Sequence, residues 1–355
     1  MIQLKQTDID TIHALIEKAQ RIVILTHMSP DGDAMGSALG MYHWLRQHDK
    51  EVCVIVPNAF PNFLEWMPGA QEVLIYETAP AAAQKQMQEC DLVICTDFNE
   101  AKRIGALGDV LLAKLDGHRK AIMIDHHLHP ADFAEVILSY PESPAACQIV
   151  YYLLTAMNQA GEDLNLDCAT CLYTGMMTDT GNFSFNSNQP QIYTIISHLV
   201  ALGVDKDAIY NRVFNAYTAD RMRLMGYCLY QKMRIYPEHH TALIYLSGKE
   251  LYRFNFRSGD AEGIVNLPLQ IKDIYYSCFM REDKVSPSEV ALANGSTKKI
   301  KISLRSQGDR PVNILAHDIF GGGGHMNASG GEYYGPLSEA VTKFLEAYPK
   351  YFETK

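Results

Sequence analysis

The chain has 355 residues, 47% hydrophobic and 20% charged, with a formal net charge of -10 at pH 7; this is the balance of a globular chain long enough for two domains with separate cores. No apolar run approaches the roughly 20 residues that a membrane-spanning helix needs, and the acidic balance argues against a surface for long duplex DNA. Residues Met1 to Lys5 lack a basic flank followed by an apolar core, so no secretory signal is expected and the chain reads as cytoplasmic.

In chain order, Arg21 to Thr26, Glu51 to Val56, Asp91 to Thr96 and Lys120 to Ile124 are short runs rich in Val and Ile, and intervening segments such as Ala34 to Gln47 carry helical periodicity. The alternation predicts an α/β fold with a mainly parallel sheet, right-handed crossovers and flanking helices. Ligands of such sheets bind beyond the carboxyl ends of the strands, where His27, Asp97 and Asp125 all fall. From Pro144 to Met233 the pattern becomes helical, with Asp179 just after one helix and a long helix expected over Arg221 to Met233. Boundaries follow: a first unit over 1–218, a helical linker over 219–235, and a smaller α/β unit over 236–355. In that unit Thr241 to Leu246, Tyr275 to Arg281 and Lys299 to Arg305 read as strands, and Gly259 to Leu267 and Leu337 to Ala347 as helices. The eight cysteines are scattered through apolar segments, and Cys168 to Cys171 is a lone CxxC in a helical pattern with no second pair, which predicts buried thiols rather than zinc.

Taken singly, Asp31-Gly32-Asp33 is a turn and helix cap, Asp125-His126-His127 a polar strand end, and Asp179 a helix terminus. Together with His27 and Asp97, all at element ends in one α/β half, they predict a metal site. Carboxylate oxygens and imidazole nitrogens suit divalent ions such as Mn²⁺, with Mg²⁺ or Co²⁺ as alternatives. Two ions about 3.5 to 4 Å apart would polarise a phosphoryl group and activate a bridging hydroxide, and one carboxylate, best Asp97, would reach both. In the second unit, the glycines in Phe320-Gly321-Gly322-Gly323-Gly324-His325 permit close backbone approach to an anion, or simply a flexible turn. Ser303 and Arg305, two apart on a strand, share a face.

His27-x-x-x-Asp31-Gly32-Asp33 with Gly36-Ser37, then Asp97, then Asp125-His126-His127, then Thr178-Asp179-Thr180-Gly181 resemble, in order and spacing, the four motifs of the DHH phosphoesterase superfamily. Ala261 to Asn266, Ile302 to Ser306 and Gly322-Gly323-Gly324-His325 resemble the first type of DHH-associated domain, so nearly the whole chain is covered. The likeness is greatest to the group combining oligoribonuclease (nanoRNase) and 3′-phosphoadenosine-5′-phosphate (pAp) phosphatase activity. The resemblance implies one manganese ion on His27, Asp31 and Asp97, a second on Asp33, Asp97, His126 and Asp179, and an active-site cleft between the two units. It further implies His127 facing the scissile phosphate, Asp125 orienting a histidine, and Ser303, Arg305, Gly322, Gly323, Gly324 and His325 holding the substrate; Asp97, His127, Arg305 and His325 are the implied catalytic groups. Ser143-Pro144-Ala145-Ala146 and Asn327-Ala328-Ser329 depart from the usual pattern. The implied reaction is hydrolysis of short oligoribonucleotides to 5′-mononucleotides and of pAp to AMP and phosphate through a hydroxide activated by two metals.

The competing enzyme reading is hydrolysis of cyclic di-AMP or of linear dinucleotides. A single-strand-specific exonuclease is disfavoured by the acidic charge and the lack of an additional nucleic-acid-binding module, and a catalytically silent sensor by the completeness of the ligand set. Short RNA or a nucleotide is thus the expected partner, with no membrane and no long duplex DNA; a homodimer is an admissible assembly.

Overall fold

A computed structural model describes residues 2–116, 120–158, 163–257, 259–285 and 296–352. The chain divides into two units, Met1–Ala216 and Tyr217–Lys355.

In the first unit, α1 (Gln6–Lys18), β1 (Arg21–Leu25), α2 (Gly32–Gln47), β2 (Glu51–Val56), β3 (Leu74–Ile75), α3 (Pro80–Glu89), β4 (Leu92–Thr96), α4 (Ala106–Leu115), β5 (Ala121–Asp125) and β6 (Val136–Ser139) precede four helices. These are α5 (Ala146–Met157), α6 (Leu166–Asp179), α7 (Pro190–Ala201) and α8 (Lys206–Phe214). The sheet runs β3-β2-β1-β4-β5-β6, every pairing parallel, as the alternation predicts. Its central strands are covered on both faces. Ile22 and Ile24 of β1 enter the core built with α2, α5 and α6, whereas Val23 and Leu25 enter the core built with α3 and α4. Each such side chain, fully buried, contributes about 1.5 to 3 kcal/mol.

One packing detail positions the site. Gly32, Gly36 and Gly40 recur every four residues along α2 and so line one face of that helix. A Cβ on Gly36 would stand 2.7 Å from Cys171 O, and one on Gly40 2.6 Å from Leu172 Cδ2. The missing side chains let α6 press onto α2, which carries Asp179 toward Asp33.

The second unit holds α9 (Ala219–Tyr227), β7 (Arg234–Tyr236), β8 (Thr241–Leu246), α10 (Gly248–Arg253), β9 (Tyr276–Lys284), β10 (Lys298–Ser306), α11 (Asn313–Phe320), β11 (Gly323–His325), β12 (Ala328–Tyr334) and α12 (Leu337–Tyr351). Its sheet runs β11-β12-β10-β9-β8-β7, antiparallel except for β8 with β9. Leu304, Cys278 and Leu243 meet α11 and α12 on one face, and Ile244 and Phe279 meet Leu224 of α9 on the other.

Two predicted helices differ. The span expected over Arg221 to Met233 is α-helical only to Tyr227, then makes one π turn over Cys228–Lys232 and enters β7, with Leu224 and Cys228 in the second unit's core. Gly259 to Leu267 is not an α-helix: Gly263 sits at φ 78°, and the short 3-10 helix Ile264–Gln270 that follows contains Pro268. A left-handed residue ends the turn before it, and proline withholds a donor within it. All eight cysteines are free, with Cys168 and Cys171 buried in the first core. Among the described residues no helix is long and apolar enough to cross a membrane.

Candidate metal centre

The four sequence motifs of the first unit converge beyond the carboxyl edge of its sheet. His27 follows β1, and its Nδ1 lies 3.0 Å from the Met28 carbonyl. A carbonyl only accepts, so Nδ1 carries the proton and Nε2 turns a lone pair inward. That Nε2 stands 3.3 Å from Asp97 Oδ2 and 3.8 Å from Asp31 Oδ2. His126 repeats the device: Nδ1 is 3.0 Å from the Ser143 carbonyl, and Nε2 is 3.3 Å from Asp97 Oδ1 and 3.7 Å from both Asp33 Oδ2 and Asp179 Oδ2.

Asp31 fills two roles with its two oxygens. Oδ1 caps α2 by accepting the Asp33 and Ala34 N–H groups, each at 3.0 Å, while Oδ2 faces His27. Asp33 is held from across the fold: the Ala146 N–H donates to Oδ2 and the Cys147 N–H to Oδ1 at 3.0 Å, so the positive N-terminal end of α5 secures a buried carboxylate. Asp97, at the end of β4, is only 2% exposed and has φ 61°. A non-glycine residue there is strained by of order 1 to 3 kcal/mol, the kind of backbone cost that clusters at functional sites.

Several sets of donor atoms lie within 4.8 Å of one another in this unit, His27, Asp31 and Asp97 in one, Asp33, Asp97 and His126 in a second, and Asp97, Asp125 and His127 in a third, and Asp97 belongs to each. Asp97 Oδ1 is buried without a hydrogen bond among the described residues. Two imidazole lone pairs and this orphaned oxygen therefore face one another, an arrangement that asks for a cation. Without one, protons crowd in. Although burial disfavours the charged ring, the bond to Asp97 and the charge of Asp31 raise His27 to about 9. Burial and then the Asp97 charge push Asp33 up to about 7. Asp97 itself is held well below the usual carboxylate range, its burial outweighed by His126 and His27. The donor set fits divalent ions.

Asp125 serves His127. It is fully buried, accepting the His127 backbone N–H on Oδ2 and Nδ1 on Oδ1, both at 2.8 Å. His126, beside it, takes its orientation from Ser143 instead. Burial lowers the pKa of His127 despite the Asp125 contact.

In the second unit, strand register aligns Arg305, Ala328 and His325 across β10, β12 and β11, and Ser303, Gly330 and Gly323 two residues along, in the next row on the same face. The small residue Ala328 on β12 thus lies between Arg305 and His325. The glycines are not a loose loop. Gly321 ends α11 at φ 60°, and Gly322 donates its N–H to Ala316 O at 3.0 Å while a Cβ there would strike the Gly330 carbonyl. Sequence reasoning missed the Ala146 and Cys147 N–H groups; the one available signal was the Ser143-Pro144-Ala145-Ala146 helix start, since a helix N-terminus suits an anion. The backbone carbonyls that orient His27 and His126 leave no trace in residue identity.

The DHH family, N-terminal domain, matches residues 21–176. A crystal structure of an exopolyphosphatase-related protein from Bacteroides fragilis is 46% identical, with TM-score 0.88, covering 99% of this chain and 98% of its own. The bifunctional oligoribonuclease and PAP phosphatase NrnA of Thermus thermophilus is 27% identical over 92% of this chain and 88% of that protein. The cyclic-di-AMP phosphodiesterase GdpP of Bacillus subtilis is 23% identical over 96% of this chain, which spans 50% of that protein. The chain belongs to the DHH family. It is a hydrolase of phosphoester bonds, of a family dependent on divalent metals, and its acidic and histidine groups could bind such an ion.

Proposed function

We propose that the chain hydrolyses short oligoribonucleotides to 5′-mononucleotides and pAp to AMP and phosphate, with two manganese ions. One is held by His27, Asp31 and Asp97 and the other by Asp33, Asp97, His126 and Asp179. Bound there, the ions supply Lewis acidity and a nucleophile from water at neutral pH. Asp125 keeps the proton of His127 on Nδ1, so Nε2 is the nitrogen offered to the reacting group, and a carboxylate behind the ring favours any positive charge it gains. Ser303, Arg305, His325 and the Gly322 to Gly324 segment hold the substrate, with Arg305 and His325 donating to its phosphates.

The observation that carries the substrate assignment is the end-to-end match with the Thermus protein named for these two activities. A second reading, hydrolysis of cyclic di-AMP or a linear dinucleotide, is favoured by the match to GdpP across 96% of this chain, although that protein is about twice the length matched. A cytoplasmic location suits either substrate. Comparing kcat/KM with Mn²⁺ on pAp, a diribonucleotide, a longer RNA and cyclic di-AMP tests the assignment: pAp and the diribonucleotide should lead, and preference for the longer RNA or cyclic di-AMP would overturn it.

A further inference from the structure

Arg103 is a cation in the first unit for which neither metal ligation nor the fold accounts. It lies in the short 3-10 helix Ala101–Ile104 that follows Asp97 off the end of β4. Its carbonyl accepts the Met28 N–H at 2.8 Å, tying this turn to the loop that carries His27. Gly105, immediately behind, adopts φ 56°, and a Cβ there would collide with Met28 Cε. The turn is thus fixed against Met28 of the metal-site loop at Arg103 and at Gly105.

Among the described residues, the guanidinium of the half-buried residue Arg103 has no hydrogen bond and no ion pair, whereas neighbouring Lys102 is exposed and pairs with Glu100 at 2.7 Å. Its charge reaches both His27 and His127, where it opposes protonation. A guanidinium has five N–H donors in a planar fork, and with no protein acceptor these are open to an arriving anion. The fork matches two oxygens of one phosphoryl group.

We propose that Arg103 binds the non-bridging oxygens of the reacting phosphoryl group, as a substrate-binding cation supplied by the same unit that carries the metal ligands. The assignment rests on phosphoester hydrolysis at that centre and is independent of which nucleotide is the substrate.

Bis(p-nitrophenyl) phosphate, which carries a single phosphate, provides the test. Arg103→Gln should lower kcat/KM on it roughly 10²-fold or more, the loss typical of removing one donor to developing charge; Arg103→Lys should recover part of that loss. Inhibition by inorganic phosphate should weaken roughly tenfold or more in Arg103→Gln, while Mn²⁺ affinity by calorimetry should not fall, because Arg103 repels the ions. In the wild-type protein, inorganic phosphate should slow modification of Arg103 by phenylglyoxal, a readout that requires no variant to fold. Wild-type kcat/KM for Arg103→Gln on the diester, a loss confined to pAp, a rate loss matched by lost Mn²⁺ affinity, or modification indifferent to phosphate would each overturn the assignment. If wild-type protein cleaves the diester but neither pAp nor short RNA, the substrate proposal fails and this one stands.

Discussion

Asp125→Asn separates the orientation of His127 from the holding of metal. Asp125 accepts two N–H groups from His127, one on each oxygen. An asparagine has one oxygen, so its amide NH₂ must face one of these donors at a site with no solvent access. Leaving a buried donor unsatisfied costs about 1 to 3 kcal/mol. At roughly 2 to 4 °C per kcal/mol for a unit of this size, Tm should fall by about 2 to 12 °C. Turnover at saturating Mn²⁺ should fall about 10²- to 10⁴-fold, the range attributable to a positioned acid or base. Mn²⁺ affinity should change little, since His126 is oriented by Ser143 O and His27 by Met28 O. Calorimetric Mn²⁺ titration, paired with kcat at saturating metal, measures both quantities. Normal kcat at saturating metal, or affinity falling in step with kcat, would refute the division of labour between the two histidines.

Gly175→Ala should lower stability by about 1 to 3 kcal/mol and weaken metal binding together, because the added methyl strikes Cys147 Sγ and crowds Asp33 Oδ1, 3.1 Å away. Adding Cys147→Ala should restore both; denaturant titration and calorimetry would check this. Metal uptake should also release protons. In the metal-free chain His27, raised to about 9, is protonated below that pH, and Asp33, raised to about 7, is protonated below neutrality. The ligating forms carry neither proton, so Mn²⁺ affinity should rise with pH up to about 9. Calorimetry at pH 7 in buffers of different ionisation enthalpy should show net proton release, and none would contradict this.

Much of this fold was legible because its strands are short apolar runs covered on both faces, and β4, buried throughout, is the clearest case. That the candidate residues gather at one place was legible for a related reason: each polar group ends such a run or a helix, at the edge where α/β sheets bind ligands. What remained hidden lay in backbone and tertiary contacts. Asp31 could be read as a cap or as a ligand, and the structure assigns one oxygen to the cap and turns the other toward His27. Asp125 was assigned to an unspecified histidine; which of the two neighbours it serves depends on the direction of each ring. The glycine run left anion approach and a flexible turn both open, because steric demands from Gly330 and the end of α11 are invisible along the chain. The helix expected over Gly259 to Leu267 failed because its apolar spacing concealed a left-handed glycine.

The most direct test of the central claim, that Asp97 joins two ions in one centre, is Asp97→Asn. Asparagine tolerates φ 61°, so the substitution keeps the backbone while removing the charge the donor sets share. The account predicts two Mn²⁺ bound per wild-type chain, fewer in a folded Asp97→Asn protein, and loss of Mn²⁺-dependent turnover. A folded variant that binds two ions and retains near-normal turnover would contradict it.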